Sequence, residues 1–147
     1  MRTKHPNLEG YEQDFEMRSF VVTIDDLNCH VMVKYFSDYE VGLAEPIASL
    51  EMMTIIVEVS GVKYEIDATV KRDGTLTGTS VTKMRARRLV QPMGLFQDLA
   101  NKVLDYYKSP EGEKAWQSKM IDDYAQEIER LQKQIAWRQQ RIEELQP

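Results

Sequence analysis

Isoleucine recurs every seven residues near the end of this chain, and a mostly apolar residue follows each isoleucine three positions later. The two sets are Ile121, Ile128, Ile135 and Ile142, and Tyr124, Leu131, Arg138 and Leu145. We call these eight residues the heptad stripe, because their spacing places them along one side of an α-helix. Isoleucine in one set with leucine in the other favours a two-stranded coiled coil. A stripe this narrow must be buried against another helix, so the sequence predicts oligomerisation, as a homodimer or a homotetramer.

Arg138 is the charged member of the heptad stripe and bears on the orientation of the helices. In a parallel pair it would face its own copy, which is unfavourable. In an antiparallel pair it would face Ile128, and Glu127 would approach Arg141 of the other helix. Such an exposed ion pair contributes only ~0.2–1 kcal/mol, but both features favour the antiparallel arrangement. The alternative is that the helix folds back onto its own sheet.

The composition is that of a globular protein, with 42% of the 147 residues hydrophobic and 29% charged. No apolar run approaches the ~18 residues that cross a bilayer, and the N-terminus lacks a signal-peptide pattern, so no membrane partner is expected. Cys29 is the single cysteine, which excludes an intrachain disulfide. Together these features predict a cytoplasmic protein.

Alternating and β-branched segments predict strands in the first half of the chain. They are 20–24, 29–35, 50–59, 62–66, 68–72 and 76–84, with turns at Asp25–Asn28, Ser60–Gly61 and Asp73–Gly74 and a long loop over 36–48. The pattern predicts an antiparallel sheet of four to six strands. The fold class is therefore α+β, with a polar N-terminal arm over residues 1–17 and an antiparallel β-sheet domain with one packed helix over 18–108.

The period changes from two to helical spacing after Pro92, where Leu95 to Tyr107 predict a helix packed on the sheet. Ser109 followed by Pro110 is typical of a helix cap, so a second helix is predicted from there to Gln146. Residues 109–147 are assigned as the coiled-coil oligomerisation helix. Its heptad part spans roughly 37 Å at ~1.5 Å per residue, more than a small sheet needs, so it projects or is buried by a partner. Trp116 and Trp137 share its outward side, where they touch the sheet, further helices or an external target.

The sequence offers no catalytic, cofactor or metal-binding set. His5 and His30 are the only histidines, and His30 adjoins Cys29 in a predicted strand, so the two side chains point to opposite faces. The glycines near Gly74 lack the lysine of a phosphate-binding loop. We therefore expect a protein that is not an enzyme and has no cofactor.

One basic segment indicates binding to an anionic partner. It comprises Lys83, Arg85, Arg87 and Arg88, with Lys71 and Arg72 expected across the hairpin. Residues 67–108 carry eight Lys and Arg against four Asp and Glu, whereas residues 1–66 carry five against twelve. Single-stranded nucleic acid is one candidate partner, with Tyr35, Phe36, Tyr39 and Tyr64 as stacking surfaces if they share that face. The sequence pI of about 5.1 argues against a dedicated nucleic-acid binder, and the basic segment could instead pair with the acidic first half.

The strand-and-turn layout of residues 19–66 resembles small accessory proteins encoded by tailed bacteriophages. The residues that carry it are Phe20–Ile24, His30–Tyr35, Ala44–Pro46, Leu50–Met52 and Val57–Val62. The resemblance implies a phage protein made inside a bacterial host, often one that binds and blocks host or defence proteins, and it carries over no site residues. The expected function is thus an oligomeric binding protein, an inhibitor or adaptor. The competing hypotheses are a single-stranded nucleic-acid-binding protein and a structural or scaffolding component of the virion.

Overall fold

A computed structural model describes residues 2–85, 88–90 and 94–147, and for 88–90 it describes the backbone alone. The elements are β1 (Arg2–Lys4), β2 (Tyr11–Ile24), β3 (Leu27–Glu40), β4 (Ala48–Val59), β5 (Val62–Val70), β6 (Leu76–Lys83), β7 (Arg88–Val90), α1 (Gly94–Lys108) and α2 (Pro110–Leu145). Each strand pairs antiparallel with the next, giving one sheet in the order β1 to β7. The predicted α+β class with an antiparallel sheet is confirmed.

Tight turns join the long strands at the predicted places, but the first is shorter than the predicted Asp25–Asn28, because Leu27 and Asn28 belong to β3. Asp25 and Asp26 have φ of 50° and 63° and form a two-residue loop between β2 and β3. Ser60 and Gly61 do the same between β4 and β5, with φ of 52° and 78°. Two successive residues with positive φ match the right-handed twist of the flanking strands, which explains why aspartate and glycine stand at these positions.

The predicted N-terminal arm and part of the predicted loop are wrong, because residues 2–4, 11–17 and 36–40 belong to the sheet. β2 begins at Tyr11, which pairs with Glu40 at the end of β3, so the loop covers only residues 41–47. Arg2 in β1 donates to Glu12 over 3.2 Å and lies 3.9 Å above the Tyr39 ring. The sequence pattern did not indicate these strands because their side chains are mostly polar. Backbone pairing places them in the sheet, and their acidic side chains remain partly exposed.

The core lies between one face of the sheet and the two helices. Its strand residues are Phe20, Cys29, Val31, Val33, Met53, Ile55, Val57, Ile66, Val70 and Val81. From α1 it takes Phe96, Leu99, Ala100, Val103, Leu104 and Tyr107, at the helical spacing expected from the sequence. Lys102 of α1 also reaches the β2–β3 turn, where its Nζ lies 2.5 Å from an Asp25 carboxylate oxygen.

The start of α2 is fixed by a predicted cap. Ser109 Oγ accepts a hydrogen bond from the Gly112 backbone N–H over 3.1 Å, and Pro110 occupies the first helical position. The helix then packs along β2, whose outer edge is paired with β1 only at Glu12–Asp14. Residues 121–147 are exposed throughout. The alternative in which the heptad part of this helix folds back onto its own sheet is therefore wrong.

Candidate interaction surfaces

The heptad stripe lies on the projecting part of α2. Its apolar members, from Ile121 to Leu145, are between 42% and 67% exposed. At ~1.5 Å per residue, the 36 residues of α2 extend roughly 54 Å, so the helix continues well past the domain that anchors its start. Such a row of large apolar side chains in solvent is typical of a contact surface.

Trp116 and Trp137 share one side of α2 but have different surroundings. Trp116 is half-buried against the core, and the Arg18 guanidinium of β2 lies 4.0 Å from the centre of its ring. Trp137, three heptads later, is 63% exposed. Of the two tryptophans, Trp116 contacts the sheet domain and Trp137 does not.

Arg18 ties both helices to the sheet through a small polar network. It donates hydrogen bonds to Tyr107 Oη over 2.9 Å and to a Glu16 carboxylate oxygen over 3.0 Å, while stacking on Trp116. Burial, with the nearby Glu51 charge, raises the pKa of Tyr107 to about 12, against the opposing effect of Arg18. Burial alone would lower the pKa of Arg18, but the bonds to Glu16 and Tyr107 outweigh it and raise that pKa. The network therefore holds a cation against a neutral phenol.

The sheet face opposite the helices is rich in exposed apolar side chains, and we call it the open face. Its apolar residues are Phe15, Met17, Val21, Met32, Phe36, Leu50, Met52 and Ile56. They form rows across the strands: Phe15 lies opposite Phe36, with ring centroids 5.0 Å apart, and Phe36 lies opposite Leu50. Five of the eight are between 39% and 54% exposed. Sequence reasoning missed this surface because several of its members fell in the predicted arm and loop.

Two features border the apolar rows of the open face. A depression of about 220 Å³ lies among Val21, His30, Met32 and Ile56, with Lys119 of α2 also lining it. Toward β5, Asp67 accepts a hydrogen bond from Thr54 Oγ1 over 2.7 Å. A hydrogen bond with Asp67, and burial, raise the pKa of Glu65. The open face is therefore rich in apolar side chains, with the cation Lys34 between Met17 and Met52 and carboxylates toward β5.

The basic residues proposed for an anionic partner are divided between the two ends of the sheet. Lys83 ends β6 and lies opposite Tyr64, and Arg85 follows in the next turn. Lys71 and Arg72 lie in the β5–β6 turn, at the opposite end of these strands. The backbone of Arg88 pairs with Lys83, its side chain is not described, and Arg87 lies outside the described residues.

The aromatic residues considered for base stacking do not share a face. Phe36 belongs to the open face, whereas Tyr35 and Tyr64 alternate to the helix side. The Tyr64 ring packs against Phe96 with centroids 4.9 Å apart, and Tyr39 is covered by Arg2. The structure does not assemble them into a stacking platform.

The two histidines and the cysteine have different surroundings and do not form a common site. Cys29 is fully buried on the helix side, where burial raises the pKa of its thiol, and His30 is exposed on the open face. His5 Nδ1 accepts the backbone N–H groups of Asn7 and Leu8 over 3.0 and 3.1 Å. Across the described ranges, no three His, Cys, Asp or Glu side chains are grouped to hold a metal ion.

Neither helix of the described chain combines the length and apolar composition needed to cross a bilayer. Comparison with protein families, with curated proteins and with solved structures found no match to this chain. Its function is therefore inferred from its own surfaces.

Proposed function

We propose that this chain is a non-enzymatic binding protein that self-associates through α2 and contacts a partner protein with the open face of its sheet. The observation that carries the proposal is the exposure of the whole heptad stripe on a helix that projects from its domain. A stripe with isoleucine and leucine at alternating spacings of three and four is complementary to a second copy of itself. Pairing two such stripes would cover the apolar side chains that one chain leaves in solvent.

The open face supports the second half of the proposal. Aromatic residues and methionine are enriched at protein interfaces, and this face presents two phenylalanines and three methionines in neighbouring rows. Self-association would bring two or more open faces into one particle, which raises avidity for a partner without any new contact. The resemblance of residues 19–66 to phage accessory proteins favours a host or defence protein as that partner, so we propose an inhibitor or adaptor acting in the bacterial cytoplasm.

Light scattering on a size-exclusion column tests the self-association. The chain should elute with at least twice its mass of 17.1 kDa at micromolar concentration. Ile128→Asp with Ile135→Asp should return it to a monomer, because two carboxylates would then lie in a contact that excludes water. Gln126→Asp with Gln140→Asp is the matched control, since it adds the same charge on the opposite side of the helix. A wild-type mass near 17.1 kDa, or equal loss in both variants, would refute the proposal.

Capture from bacterial lysate tests the open face separately. Immobilised protein should retain one host protein in stoichiometric amount, and Val21→Asp with Met52→Asp should abolish retention while leaving the oligomeric mass unchanged. Retention that survives these substitutions would remove the open face from the proposal. Recovery of the protein in purified virions would favour the structural alternative instead.

A further inference from the structure

A depression of about 360 Å³ lies at the end of the sheet where the β4–β5 turn meets the end of β6. The residues that line it are Glu58, Gly61, Val62, Lys63, Lys83 and Arg85. We call it the cationic pocket, because three of these side chains are positive and one is negative. The meander topology creates it: β6 returns Lys83 beside β5, and the Met84 backbone N–H donates to the Lys63 carbonyl over 3.0 Å, which holds the next turn against that strand.

The three cations lack ion pairs with carboxylates among residues 2–85 and 94–147. Glu58 lies directly opposite Lys63 in the β4–β5 register, but the two side chains do not form an ion pair within 4.0 Å. Some cations elsewhere in the domain do form ion pairs, as Arg2 does with Glu12 and Lys102 with Asp25. An arginine and two lysines lining one concave site suit a phosphate group, whose oxygens accept several charged hydrogen bonds.

A second depression adjoins the cationic pocket on the open face. It measures about 410 Å³, shares Glu58 and Lys63 with the first, and is further lined by Asp26, Asn28 and His30 among others. Both volumes fall in the range of small-molecule sites. A ligand with its phosphate between the cations would have room beside it for a sugar and a base, with Asn28 and His30 as hydrogen-bonding partners.

We propose that Lys63, Lys83 and Arg85 form a binding site for the phosphate group of a nucleotide, free or within a single strand. Lys63 is the member that sequence reasoning missed, since it lies twenty residues before the basic segment and only the β5–β6 pairing brings it there. Lys71 and Arg72 are excluded from the site because they lie at the far end of the same two strands. The site does not depend on α2, which packs on β2 three strands away.

Fluorescence anisotropy with a labelled single-stranded oligothymidylate, at low salt, tests the site directly. Lys63→Gln with Arg85→Gln should weaken binding at least about tenfold, because two phosphate contacts are lost. Lys71→Gln with Arg72→Gln is the matched control, with the same charge change in an exposed turn, and should change affinity less than about twofold. Lys83→Gln alone should give an intermediate loss. For one phosphate neutralised by the site, log K should fall against log salt with a slope of about −0.7.

Competition by unlabelled ATP and by inorganic phosphate identifies the source of the phosphate. Displacement by ATP at a concentration comparable to that of the oligonucleotide indicates that the site takes a free nucleotide. Displacement by oligonucleotide alone indicates a strand. Either result supports the site. Equal losses in the two double variants would show diffuse attraction to a charged surface and overturn the proposal. Absence of binding by all three probes would overturn it as well, whatever the oligomeric mass proves to be.

Discussion

The two parts of α2 differ in surroundings and carry their apolar residues on different sides of the helix. The first turns are docked: Gly112 is buried, and Ala115 and Trp116 pack against the core. From Ile121 onward every residue is exposed, and the apolar side chains recur on another side of the helix, along the heptad stripe. A helical period therefore shows which side of a helix is apolar. It does not show whether that side is buried by the same chain or by another.

Gly112→Ala should be the most damaging small change in the docked part. A Cβ at this position would overlap the carbonyl oxygen of Tyr106, so the start of α2 must shift away from the end of α1. We expect a loss of about 3 kcal/mol, as for overpacking of a rigid site. Denaturant unfolding measures it, with Gly94→Ala as the control in the first turn of α1. A Cβ at position 94 meets nothing within 4 Å, so Gly94→Ala should change the free energy of unfolding by no more than ~1 kcal/mol. An equally small effect of Gly112→Ala would show that α2 is not docked as described.

The two tryptophans give the next comparison. Trp116→Ala removes a half-buried ring and the surface on which Arg18 stacks, so it should lower the free energy of unfolding by about 2 kcal/mol. Trp137→Ala should change it by less than ~0.5 kcal/mol, because that ring is exposed and lies outside the heptad stripe. Thermal or urea unfolding of both variants checks the difference. A similar loss of unfolding free energy in both variants would mean that Trp137 is buried in solution.

Alkaline pH should weaken the docked part through Tyr107. Its pKa is about 12 in the folded chain and ~10 in the unfolded chain, so between these values only the unfolded chain has released the proton. The free energy of unfolding is therefore at its full value below pH 10 and falls as the pH rises toward 12. The expected fall is on the order of 1–2 kcal/mol after allowance for solvent screening. Urea unfolding across this range measures it, and Tyr107→Phe should flatten the profile; an unchanged profile would contradict the environment assigned to the phenol.

Much of this fold could be predicted from the sequence where local signals were strong. The turns at Asp25–Asp26 and Ser60–Gly61 and the cap at Ser109 each combine a backbone requirement with the residue type that meets it. The strand over Tyr11–Met17 could not be predicted in this way, because its side chains are mostly polar and its place depends on pairing with the distant residues of β3, as between Phe15 and Phe36. A period of two through Phe15 and Met17 was the available signal.

The candidate surfaces were less predictable, since they depend on which distant residues meet. The heptad stripe is local, and the sequence alone located it. The open face required knowing that Phe15, Phe36 and Leu50 occupy one row across three strands. The cationic pocket likewise required the register that sets Lys83 beside β5 and leaves Lys71 at the far end.

The smallest predicted effect concerns the orientation of the proposed α2 pair. In the antiparallel register that aligns Ile121 with Leu145, Glu127 of one chain approaches Arg141 of the other. Within one chain these residues already pair locally, Glu127 with Arg130 and Arg141 with Glu144, so the gain from crossing is small, about 0.5 kcal/mol for each pair. Glu127→Lys should therefore weaken association slightly, and adding Arg141→Glu should restore it.

Sedimentation equilibrium on the wild type, the two single variants and the double variant gives the coupling between positions 127 and 141. In a parallel pair these positions lie two heptads, or about 21 Å, apart along the axis, beyond the ~10 Å over which exposed charges interact at 0.1 M salt. Additive single effects would therefore contradict the antiparallel register while leaving self-association intact. Recovery in the double variant at low salt, fading as salt is raised, would instead fix the direction in which the second helix runs along the heptad stripe.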